Sequence, residues 1–268
     1  MIEETAIKRI EQLAASQINL SDVPEATPAI VIPEGCHVED IERHLEQPRR
    51  MRAKFNTARL TDLLKYVNPQ HDELSAIFID DDGSGVKAIL DYGNQETPRW
   101  KDHIAMMTCR ETPAFDALEK MTQSGVSQRA ITDWIEDWRE IIEACDSDGQ
   151  EIPLAKAIAS IRRVDIKASR ESTHTDGDMA MSQSSLDQVA ASSGGESLPA
   201  FFRVTTPVFE DLDERELRVR LALKAVNDKP QFGLRIIAKA QVMREIADEI
   251  ETKVKRELPE ARVYVGNA

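Results

Sequence analysis

Three neighbouring stretches decide the fold: GCHVEDIERHLEQPRRMRAKFNTARLTDLLKYVN (residues 35–68), AIFIDDDGSGVKAILDYG (residues 76–93) and WKDHIAMMTC (residues 100–109). Val38–Leu45 reads as a short helix, and Pro48 separates it from an arginine-rich strand. In that strand Met51, Ala53 and Phe55 alternate with Arg50, Arg52 and Lys54, which predicts one apolar and one cationic face. Asn56 or Thr57 stands where a cap belongs for a helix carrying Leu60, Leu63, Leu64 and Val67. Ser75–Asp80 and Val86–Tyr92 read as strands around DDGSG, which has the composition of a hairpin turn. His103–Cys109 is a further strand.

Toward the C-terminal side, Thr112-Pro113 opens a helix, with proline in the first turn where its missing N–H costs nothing. Ser127 caps the next, which is expected to run to about Cys145. Ile131, Trp134, Ile135, Trp138, Ile142 and Cys145 form its apolar face. Pro153 starts a helix over Leu154–Ile161. A long hairpin is expected over 164–170 and 179–184, with a mobile connection at 186–198. Phe201–Thr205 is a strand. Leu217, Val219, Leu221 and Leu223 alternate with Arg218, Arg220 and Lys224 over the next one, Leu217–Ala225, and NDKP turns the chain into Phe232–Ile237. Val242, Ile246, Ile250, Val254 and Leu258 predict a helix stopped by Pro259, with Arg262–Val265 as a last strand. Hairpins with segregated helices give an α+β fold: a largely antiparallel mixed sheet with amphipathic helices packed against it.

Upstream, Ile7, Ile10, Leu13, Ala14 and Ile18 have helical spacing over residues 3–18, and SDVPEATPA reads as a linker. Ala29–Ile32 is a short strand. The expected organisation is a helix and linker over 1–28, then one α+β domain over 29–268 with the long hairpin and mobile loop at about 164–198.

The chain has 268 residues, 41% of them hydrophobic, enough to bury a core without disulfides or metal. Its net charge is −14, which argues against a surface dominated by phosphate binding but leaves room for local basic patches. Cys36, Cys109 and Cys145 are isolated and odd in number, as expected of reduced thiols in a cytoplasm. No membrane span and no secretory signal are read.

Catalytic and metal motifs are weak. Asp80, Asp81 and Asp82 with Gly83 lack the alternating ligands of a calcium loop, so a solvated turn is the simpler reading. Cys36, His37, His44 and His103 lack metal-ligand spacing, and neighbouring Asp102 and His103 point to opposite faces of a strand. No nucleophile elbow and no phosphate loop occur, and no cofactor is called for.

Two cationic groups remain, Arg49, Arg50, Arg52 and Lys54, and Arg218, Arg220 and Lys224. Neighbouring strands in one sheet would merge them into a surface for phosphates or an acidic partner. A solvated strand face is the alternative. Trp134 and Trp138 are either core or an interface anchor, and Ile7, Ile10 and Leu13 are candidates for packing on another subunit.

The quoted blocks, with LPAFFRVTTPVFE, ELRVRLALKAV and LPEARVYVG further on, resemble the YfdQ-like family of phage and prophage proteins of unknown function over roughly residues 30–268. The resemblance implies a phage-encoded protein of the bacterial host cytoplasm and transfers no active site. The expected function is a non-enzymatic accessory protein acting through protein contacts and forming a homo-oligomer, with a host or phage protein as a further partner. A nucleic-acid-binding factor of early phage DNA metabolism, or an anti-defence protein binding a host immunity factor, is the alternative.

Overall fold

The computed structural model describes residues 5–10, 45–48, 50–122, 125–164, 198–226 and 229–267. The chain divides into two compact units, Met1–Met51 and Arg52–Ala268. In the first, residues 5–10 are helical, and Ile7 and Ile10 are exposed. Leu45 is exposed and lies in a bend, not in a helix. The rest of the expected Val38–Leu45 helix, the strand at Ala29–Ile32, Leu13 and Arg49 lie outside the described residues, as does the expected hairpin and connection beyond Val164 up to residue 197.

The second unit holds two five-stranded sheets. The first is made of β1 (Ala53–Thr57), β2 (Ala76–Ile79), β3 (Gly85–Ile89), β4 (His103–Thr108) and β10 (Arg262–Val265), in the order β1-β4-β3-β2-β10. It is mixed: β1 runs parallel to β4 and β10 parallel to β2, while β2-β3 and β3-β4 are antiparallel. The second contains β5 (Ile142–Cys145), β6 (Glu151–Ile152), β7 (Phe201–Thr206), β8 (Arg215–Val226) and β9 (Lys229–Ile236), in the order β6-β5-β7-β8-β9 and antiparallel throughout. The fold class is α+β, as the hairpins and segregated helices imply.

Five helices complete the described part of this unit: α1 (Leu60–Val67), α2 (Pro113–Met121), α3 (Gln128–Asp137), α4 (Leu154–Arg163) and α5 (Lys239–Glu257). One continuous core joins them to both sheets. It includes Leu60, Leu63 and Val67 of α1, Ile246, Ile250 and Val254 of α5, Ile131, Trp134 and Ile135 of α3, and Phe202, Val219 and Leu234 of the second sheet. Burying side chains of this kind stabilises the fold by roughly 1.5–3 kcal/mol each before entropy is counted.

Local signals explain most boundaries. Thr112 accepts a hydrogen bond from the Phe115 N–H at 3.3 Å, and Ser127 accepts one from Ala130 at 3.2 Å, so both expected caps form. Gly83 has φ +68°, and a Cβ there would stand 2.6 Å from Ile246 Cγ2, so the acidic hairpin needs glycine to turn against α5.

Two helix boundaries differ from expectation. α3 stops at Asp137, and Ile142–Cys145 is a strand instead. Ile142 and Cys145 fit a helical stripe by spacing, but hydrogen bonding to β7 and burial on the second sheet decide the matter. Asn56 and Thr57 belong to β1, and α1 begins after Arg59 without a side-chain cap. Thr57 instead accepts from the Arg59 N–H at 3.1 Å.

Candidate functional site

β1 belongs to the first sheet and β8 to the second, so the two cationic strands do not merge into one sheet surface. Arg50 is half-buried ahead of β1, Arg52 is exposed with its Nε 3.9 Å from Asp102, and Lys54 is exposed on β1. Each group therefore has its own surroundings.

The β8 group gains neighbours that do not stand out in the sequence. In the second sheet the register pairs Arg203 of β7 with Arg218 of β8, and Arg220 of β8 with both Phe201 of β7 and Arg235 of β9. Val204, Leu217, Val219, Leu221, Leu234 and Ile236, the alternating positions, are buried. Arg203, Arg218, Arg220 and Arg235 consequently share the other face. Like charges directly opposite each other are unfavourable on a sheet, so this arrangement is not a device for stability.

The counter-charges here are Glu143 and, farther off, Glu216, whose charge also acts on Arg203. Arg203 reaches Glu143 at 2.9 Å, and its Nε is buried without a hydrogen-bond acceptor. The Arg218 guanidinium lies 5.1 Å from the centroid of the Phe201 ring. Arg220 and Arg235 have no acidic partner within ion-pair distance among the described residues. One outward step along, Ala222 faces Gly233, and a Cβ built at Gly233 meets nothing within 4 Å. The face is therefore open and shallow beside the Arg220–Arg235 pair. Lys224 is paired with Gln231 further along the register. Strand alternation in FFRVTT and FGLRI was the available signal for Arg203 and Arg235.

A different ionic cluster lies between α1, the Asp211 turn and α5. Arg59 pairs with Asp211 at 3.3 Å, Arg215 with Glu249, and Lys253 with Glu249 at 2.7 Å and Asp213 at 3.0 Å. Burial pushes the Asp211 carboxyl upward, but hydrogen bonds from Arg59 and Thr61 and the charge of Arg59 outweigh it and hold the group below the ordinary aspartate value. Asp211 also sits at φ 67°, a left-handed backbone. A cavity of about 400 Å³ opens here, lined by Leu60, Leu64, Lys65, Asn68, Asp211 and Lys253 among others. Its charges mostly neutralise one another, which suits structure better than capture of an ion.

The other candidates resolve individually. Trp134 is 4% exposed and meets Phe202 edge-on at 6.0 Å. Trp138 packs partly buried against the same core. Trp134 is therefore not an exposed interface anchor; the α3 stripe that carries it faces the second sheet. His103 is buried and hydrogen-bonded to the Tyr66 hydroxyl at 3.1 Å. Asp82 accepts from the Ser84 N–H within its own turn at 2.9 Å. No group of three or more His, Cys, Asp or Glu residues among the described ones is arranged to hold a metal ion. Cys36, His37 and His44 lie outside the described residues. Burial, with Asp80 and Asp82 nearby, pushes the Cys109 thiol up to about 12. Burial also raises Cys145, against the pull of Arg203. Both thiols stay protonated at neutral pH and are poor nucleophiles. No helix among the described residues is long and apolar enough to cross a membrane.

Comparison with known proteins gives one result. The family model Uncharacterized conserved protein (DUF2303) matches residues 2–268. No curated protein and no solved structure matches.

Proposed function

The chain belongs to the DUF2303 family of uncharacterized conserved proteins, and from that premise we propose that it is a binding protein whose second sheet engages nucleic acid through Arg203, Arg218, Arg220 and Arg235. The observation that carries this reading is the two directly opposed arginine pairs, Arg203–Arg218 and Arg220–Arg235, in a chain of net charge −14. A protein with 48 acidic residues has ample means to neutralise four arginines, yet among the described residues Glu143 alone forms an ion pair with them. Phosphates supply the missing negative charge, and arginine's planar fork grips them in pairs. The resemblance of its arginine-rich block and C-terminal strands to YfdQ-like proteins supports a phage or prophage setting in a bacterial cytoplasm.

The test is binding of fluorescent oligonucleotides across a salt series. Affinity should fall steeply with salt, and charge reversal of Arg220 and Arg235 together should lower the logarithmic slope by about 2, since each phosphate contact contributes roughly 0.9. No binding at low salt would remove the reading.

A second reading, self-assembly through protein contacts, has its own support. Ile7 and Ile10 are 47% and 62% exposed on the helical segment at residues 5–10, an apolar pair suited to a second copy or another protein. Light scattering on the chain and on an Ile7→Lys, Ile10→Lys variant tests it. A monomer in both cases rules out the homo-oligomer.

A further inference from the structure

The first sheet carries another outward face, and its chemistry differs from the arginine surface. Register aligns Tyr264, Phe78, Lys87, Met106 and Asn56 in one row across all five strands. The next outward row holds Arg262, Ala76, Ile89, Ile104 and Lys54. Neither row contains a carboxylate.

The two rows are not equally open. Ala76 and Ile89 of the second row are buried. Arg262 there donates to the carbonyls of Leu74 at 2.6 Å, Ser75 at 3.1 Å and Gly93 at 2.9 Å, and lies 5.7 Å from the ring centroid of Tyr92. In the first row Tyr264 is 46% exposed and Met106 42%, with Phe78 half-buried between. The Phe78 and Tyr264 rings stack at 5.4 Å with 23° between planes, and Tyr92 leans on Phe78, also at 5.4 Å. Lys101 has a left-handed backbone, φ 59°, which a lysine rarely adopts and which costs about 1 kcal/mol or more. In that strained conformation its ammonium sits 4.4 Å above the Tyr92 ring. Three aromatic rings thus lie together at one end of an open sheet face, with Lys101 and Arg262 against the Tyr92 ring.

We propose that this face is a stacking platform for the bases of single-stranded nucleic acid, with Tyr264 receiving a base, Phe78 backing its ring and Lys101 beside the phosphates. The inference deepens the nucleic-acid reading above and rests on it for the class of partner. Rings that keep a free π-face on a sheet bind unstacked bases whatever their sequence, and a duplex hides those faces. The absence of carboxylates from both rows lessens, between Asp80 beyond Phe78 and Asp102 ahead of Ile104, the repulsion that this acidic surface would impose on a polyanion. Phe78 stands on the adjacent strand and supports the Tyr264 ring from one side, which leaves Tyr264 as the landing point.

The experiment compares the full chain with its Tyr264→Ala and Phe78→Leu variants. The probes are a labelled oligothymidylate and a duplex of equal length, and light scattering is run on each protein. Loss of one stacked base predicts about five- to hundredfold weaker binding of the single strand. Duplex affinity should stay within about twofold and the salt slope should not change, because stacking releases no counterions. Equal loss on both probes, or loss on neither, overturns the platform. A change of oligomeric mass in Tyr264→Ala with unaltered oligonucleotide affinity assigns the face to a second copy instead. The arginine reading fails separately: if Arg220→Glu with Arg235→Glu leaves both affinities untouched while Tyr264→Ala still weakens the single strand, the platform stands alone. A chain that binds neither probe at low salt ends both.

Discussion

A single strand, β8, puts arginine to two opposite uses. At its start, Arg215 is mostly buried and meets Glu249, which also accepts from Lys253 and from the Asp213 N–H. A few residues on, Arg218 and Arg220 face outward beside Arg203 and Arg235, and neither Arg220 nor Arg235 meets an acid among the described residues. The first site is a matched network tying the strand to α5. The second is an unmatched surplus of charge. Matching marks an arginine that holds the fold; the unmatched ones are those on which the proposed binding face rests.

The largest effect should come from breaking the matched end. Glu249→Ala leaves Arg215 and Lys253 buried without their shared acceptor and should cost about 3–5 kcal/mol, read as a lowered urea midpoint. Nucleic-acid affinity, measured where the variant is folded, should not move. If it does, the two ends of β8 are coupled and the division is wrong.

A smaller effect is expected at the edge of the same network. Asp211 has a lowered folded-state pKa, so its contribution to stability is present above the unfolded aspartate value, near pH 4, and is lost as pH falls through the folded one. Asp211→Asn should cost roughly 1 kcal/mol at neutral pH and should flatten the acid side of the stability curve. An unchanged acid limb would show that Arg59 and Asp211 contribute nothing in solution.

The smallest effect belongs to the unmatched face. Arg220→Leu with Arg235→Leu removes a like-charge pair, and stability should stay within about 0.5 kcal/mol or rise slightly. A loss comparable to that of Glu249→Ala would make these arginines part of the scaffold and sharpen the comparison in the other direction.

Much of the fold was legible because its signals are local. Alternation in ELRVRLAL gave β8 and its outward arginines, and Thr112-Pro113 and Ser127 gave two helix starts. What could not be read depended on distant partners. Nothing near Ile142 says that it pairs with Val204 and not with one more helical turn. The arginine surface was half visible: Arg218 and Arg220 stood out as a pair, while Arg203 and Arg235 are single cations in strands of their own. They join only through a register that local sequence does not encode. The same holds for Arg59 and Asp211, 152 positions apart.

β10 completes the first sheet by lying parallel to β2, and Arg262 of β10 bonds to Ser75, 187 positions earlier. During translation, then, the flank of β2 stays unzipped until residues 262–265 have left the ribosome. A product cut before Arg262 would expose that seam to proteases and chaperones.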